Sequence, residues 1–212
     1  MFASTDVTTP PLNAATGGGA TLGGVPSLYG QFLYTPRDVD LNGWPNSTPD
    51  GERSIFYRGA NDIINPLWAV KNYRETSVTN RVFNSSSLSY DFADNFSFTY
   101  QFGLDHYNEV QTREYNRGGV QGPNVINGVY QTQSIKNTII NNDFRFMYSK
   151  EVGSDLNLSA LVGFNARNDM FERDGLYSEG QGVFNLFRHF NFSTASSRSV
   201  AFDGRILNRS TE

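Results

Sequence analysis

The residues best placed for metal chemistry are the oxygens in series at Asp38, Asp40 and Asn42, followed by Gly43. Alternate carboxylate and amide oxygens ahead of a turn glycine form the first half of a calcium loop, where hard ligands converge on a hard cation. Its twelfth position is Pro49 rather than a bidentate Glu, and no flanking helices are evident, so the plainer reading is an Asx-rich loop. Calcium is the one cofactor the pattern suggests. His106 and His189 lack the paired spacing of a zinc site, and no serine sits in a G-x-S-x-G elbow. Carboxylates are scattered, so none is singled out as half of a glycosidase pair. No residue is assigned a catalytic role, and the expectation is a protein that is not an enzyme.

Binding chemistry is better represented. Trp44 lies among Asn42, Asn46 and Asp50, where an aromatic face and polar neighbours could stack on and hydrogen-bond a sugar ring. Trp68 has the same capacity, but its place ahead of a long strand suits an interfacial aromatic girdle. Two further stretches read as loops that carry aromatic and hydrogen-bonding groups. Tyr115 and Arg117 belong to one and Arg173 and Tyr177 to the other, with plain solvation as the alternative for both.

The elements that must position these residues are strands. Phe (17) and Tyr (11) are abundant, Gly numbers 20, and Asn and Ser fill polar positions that helices give to Glu, Lys and Ala. From Phe96 to Leu104, five apolar residues alternate with Ser97, Thr99, Gln101 and Gly103, which gives one aromatic and one polar face. Leu156 to Arg167 repeats the pattern. Each follows another candidate strand, Thr76 to Asp91 and Lys136 to Glu151, across the tight joins Phe92–Asn95 and Val152–Asp155. A fifth strand begins at Arg198. The opposite connections read as long and polar, from Arg113 to Ser134 and from Asn168 to about Ser197. Residues 1–28 read as low-complexity loop or extended chain, and a short strand is expected around Gln31 to Tyr34.

Short turns at one end and long loops at the other, with strands of about ten residues or more, are the pattern of an antiparallel transmembrane β-barrel. Mean hydropathy of −0.46 fits, because membrane strands alternate lipid-facing and lumen-facing residues. A net charge of −4, with no basic stripe, argues against nucleic acid, and the absence of Cys removes disulfide and thiolate-metal chemistry. Five strands fall short of the roughly eight a membrane barrel needs to close. The expectation is therefore a partial barrel, spanning 29–212, within a longer polypeptide.

Several strings carry a more specific likeness. Thr35-Pro36-Arg37-Asp38-Val39-Asp40-Leu41, then Asn65-Pro66-Leu67-Trp68, then Gly103-Leu104-Asp105-His106-Tyr107, and finally Leu156 through Asn165, resemble in order and spacing a region of SusC/RagA-type TonB-dependent transporters. Leu67 departs from the Tyr usual in that family. The resemblance implies the outer membrane of a Bacteroidetes-type bacterium and import of oligomeric glycans or peptides. It also implies a SusD-like surface lipoprotein as partner, outer-membrane lipid around the barrel, and TonB engaged through an N-terminal region not found in this sequence. Two other classes stay open: a secreted or surface carbohydrate-binding β-sandwich, and a structural component of an outer-membrane assembly.

Overall fold

The computed structural model describes residues 2–9, 32–33, 35–57, 64–119, 127–153 and 156–211, with 198–211 as backbone alone. Six strands form one antiparallel sheet in chain order: β1 (Phe2–Thr9), β2 (Tyr73–Ala93), β3 (Phe96–Tyr115), β4 (Val129–Val152), β5 (Leu156–Gln181) and β6 (Phe192–Thr211). Strands of 20 to 26 residues from β2 onward are several times the usual length in a soluble sheet. Their Thr, Tyr, Phe and Val content suits a pleated backbone, and every connection from β2 to β6 joins hydrogen-bonded neighbours.

The expected tight joins are present. β2 turns into β3 through Asp94 and Asn95, with a register shift between Asp91 and Ala93 that tightens the corner. β4 leaves its end through Gly153, whose φ of +75° is a left-handed backbone that glycine adopts without steric cost. This is the turn end of the sheet.

At the opposite, loop end, three expectations are corrected. β3 continues to Tyr115, β4 starts at Val129, and β5 runs on to Gln181, so the connections are far shorter than the polar stretches implied. Cross-strand pairing carries the backbone through these residues although both faces there are hydrophilic, which hides the strand from a hydrophobicity pattern. Phe2–Thr9 pairs with β2 as a sixth strand, one more than the alternation marks; its Ser/Thr run has no apolar period. Phe32 and Leu33 take a helical rather than a strand conformation. The Gly17–Gly19 run lies outside the described residues.

Register sorts the side chains into two faces. Phe98, Phe146 and Val162 form one cross-strand row and Tyr100, Phe144 and Phe164 the next, so the aromatic faces of three strands merge. Alternate rows bring Gln101, Asp143 and Asn165 together on the polar face. The aromatic band is exposed: Tyr90 is 64 %, Leu88 63 % and Leu156 60 % accessible. The buried core lies at the loop end, where Ile64, Trp68, Ala69, Tyr73, Tyr115 and Val129 cluster.

Candidate functional site

The loop end is organised by a short helix, α1 (Pro66–Asn72). Asn65 caps it, its side-chain oxygen accepting from Leu67 N–H at 3.0 Å, and Pro66 supplies a preset φ at the first position. The helix delivers Trp68 inward, 1 % exposed, edge-on to Tyr73 with ring centroids 5.4 Å apart; the indole N–H donates to the Gly51 carbonyl. Trp68 is thus a core residue and not part of an aromatic girdle. Tyr73 in turn packs on Tyr115, and Tyr177 and Phe184 lean on the cluster.

The loops are joined by a buried polar network. Asn116 accepts from Gln181 Nε2 at 3.0 Å and from Asn185 N–H at 2.9 Å, and its amide donates to Asn72. Gln181 accepts from Arg117 N–H, while the Arg117 guanidinium donates to the Gly182 carbonyl and Glu52, each at 2.7 Å. Both amide side chains are almost inaccessible, so these bonds offset a desolvation cost that an unpaired amide would impose. Gly118 and Gly119 are demanded by space. A Cβ on Gly118 would stand 2.1 Å from the Glu52 carbonyl at φ +88°, and one on Gly119 would stand 1.7 Å from the Tyr73 hydroxyl.

Arg117 therefore ties the cap together, and Tyr115 is buried at the end of β3, its hydroxyl donating to Glu75. Tyr115 is thus a buried strand residue where a loop residue is expected, whereas Arg117 lies in the loop after β3, half-exposed. Arg173 and Tyr177 are likewise strand residues, both on the polar face of β5. Trp44 stays in its loop, 45 % exposed and tilted against Tyr57 at 5.4 Å. Of the calcium candidates, Asp40 accepts from the Asn42 and Gly43 amides at 3.1 and 3.0 Å, an Asx turn. Nearby, a hydrogen bond from Thr48 holds the Asp50 carboxyl below its ordinary pKa. No group of three or more His, Cys, Asp or Glu side chains able to hold a metal occurs among the described residues.

Below the cap, the polar face presents a ladder of ion pairs, two of them across strands and two between residues two apart on one strand. Arg113 bonds Glu75 at 2.9 Å, Arg81 bonds Asp105 at 2.6 Å, Arg145 bonds Asp143 at 2.7 Å, and Arg167 bonds Asp169 at 2.9 Å. Glutamine, asparagine, serine and threonine fill the intervals. Under Arg113, a recess of 210 Å³ is lined by Glu75, Ser77, Gln111, Gln131 and Gln133. The arrangement offers many neutral donors and acceptors with little net charge, which suits hydrogen bonding to a polar group.

On the aromatic-face side, residues 182–191 fold back as a latch. Asn191 Nδ2 donates to the Val183 and Leu186 carbonyls at 2.8 Å, and the His189 ring reaches Thr132 and Ser178 hydroxyls at 3.0 and 2.9 Å. Tyr130 stacks against His189, and burial lowers the imidazole pKa. No family model matches this chain, and no curated protein is significantly similar to it.

Proposed function

We propose that this sheet is part of the wall of an outer-membrane β-barrel, and that the barrel is a TonB-dependent transporter of the SusC/RagA type importing oligomeric glycans or peptides. The observation that supports it most is where the exposed aromatic band stops. From Phe96 to Leu104 this face of β3 is apolar; past His106 it carries Asn108, Thr112 and Glu114, with Val110 as the one apolar residue among them, although β3 continues to Tyr115. β4 and β5 change at the same height, at Lys136 and at Glu172. Nine residues of strand rise about 30 Å. At a tilt near 40° this spans about 23 Å, the height of the apolar belt of an outer-membrane barrel.

The band exposes on the order of 1,000 Å² of apolar surface if each side chain carries roughly 150–250 Å², against a few hundred on an ordinary soluble protein. Lipid covering it would contribute about 25 kcal/mol at 25 cal/mol per Å². A β-sandwich would instead lay a second sheet over this face, and all six described strands belong to one sheet. The cap at the loop end would then face outward, toward a SusD-like partner, and the ion-pair ladder would line the lumen.

The test is fractionation of the native host with heat-modifiable gel migration as readout. Recovery with the outer membrane and a shift on boiling supports the reading. Recovery in the soluble fraction without detergent ends it, and returns the carbohydrate-binding sandwich.

A further inference from the structure

Four of the five arginines on the polar face of β2 to β5 stand within 2.9 Å of a carboxylate; Arg173 does not. Its guanidinium instead lies over the Phe171 ring, 5.9 Å from the centroid, exposed and bound to no carboxylate among the described residues. Two strands away on the same cross-strand row is Glu109, whose partners among the described residues are the neutral Ser77 hydroxyl and Gln111 amide. Ile135 sits between them, 7 % exposed. The row thus reads carboxylate, apolar floor, guanidinium. Among the described residues of β2 to β5, opposite charges on this row are held apart where the other arginines of the ladder are joined to carboxylates.

Spacing sets what could bridge them. Two interstrand steps place the Glu109 and Arg173 backbones about 10 Å apart. An extended chain advances about 3.3–3.6 Å per residue, so three residues carry an ammonium and a carboxylate across that distance. A neutral oligosaccharide can use the surrounding Gln and Asn side chains but leaves both charges without a counterpart. A short peptide with free termini gives each an ionic partner, with charge-assisted hydrogen bonds stronger than neutral ones.

We infer that the lumen selects short peptides with free termini, Glu109 taking the ammonium and Arg173 the carboxylate over Ile135. This rests on the transporter reading and chooses between the two solute classes that reading leaves open.

The test uses the detergent-purified transporter and calorimetric titration of triglycine, N-acetyl-triglycine, triglycinamide and maltotriose. Triglycine is expected to bind at least ten-fold more tightly than either capped form or the sugar. Arg173→Gln should abolish discrimination between triglycine and its amide while keeping discrimination against the acetylated peptide, and Glu109→Gln should do the reverse. Capping effects under two-fold, tighter binding of maltotriose, or no binding of any peptide would each overturn the inference. Heat-modifiable migration of both variants confirms that the barrel is intact, so a failed peptide preference is separable from a failed membrane reading.

Discussion

Placing an arginine in the middle of the aromatic band puts the membrane reading at greatest risk. Phe164 is 43 % exposed and shares its row with Phe144 and Tyr100, halfway along the band. If the face meets lipid, Phe164→Arg buries a cation near the bilayer midplane and costs about 2–4 kcal/mol, whereas Leu156→Arg, at the edge, costs about 0–1. The first figure corresponds to about a 30- to 700-fold loss in the folding equilibrium. If the face meets water, both changes fall within about 0.5 kcal/mol, plus about 1 kcal/mol for the lost ring contact at Phe164. Gln101→Arg is the control: it lies at the same height on the polar face, beside Asp143, and is expected to change stability by less than about 0.5 kcal/mol. Urea titration of the transporter folded in phospholipid vesicles, followed by Trp fluorescence, measures all three. A Phe164→Arg penalty below about 1.5 kcal/mol, or a Gln101→Arg penalty as large as that of Phe164→Arg, would refute the assignment of faces.

Three further outcomes are expected. Gly118→Ala forces a Cβ onto the Glu52 carbonyl at positive φ and should destabilise the cap by about 1–3 kcal/mol, read as faster amide exchange at residues 51–54; unchanged exchange would contradict the close approach. Asn116→Ala leaves the Gln181 amide and Asn185 N–H without their acceptor, a loss of about 1–3 kcal/mol, and protease cleavage near residues 182–191 should accelerate. For His189, the folded pKa lies below the ordinary value near 6.5 because burial disfavours the cation. The neutral form favoured by the fold is fully populated above about 6.5 in the unfolded chain too, so the latch loses stability only as pH falls below that value and on through the folded pKa. Amide exchange at residues 183–191 should be faster at pH 5 than at pH 7.5, and His189→Gln should flatten the difference; a latch that tightens on acidification would reverse the sign.

Much of the architecture is written in local alternation. Phe96 to Leu104 and Leu156 to Arg167 declare their strands because a side-chain period of two survives in any pleated segment with unlike faces. The turns declare themselves too, at Asp94-Asn95 because Asp and Asn are turn-forming side chains and at Gly153 because its left-handed backbone suits glycine. Where no face keeps an apolar period, as in β1 and the far half of β5, nothing local separates strand from loop, and interstrand pairing decided. That is why Arg173 and Tyr177 read as loop residues yet stand on a strand. Trp68 shows the same limit: its place ahead of a long strand suits a girdle, but whether the indole meets lipid, solute or core depends on Tyr73 and the Gly51 carbonyl, brought to it only by the fold. The separation of Glu109 from Arg173, and the pairing of Arg81 with Asp105 and of Arg113 with Glu75, are likewise set by register across strands distant in sequence, which no spacing along the chain encodes; Arg145 with Asp143 and Arg167 with Asp169 are neighbours two apart on one strand.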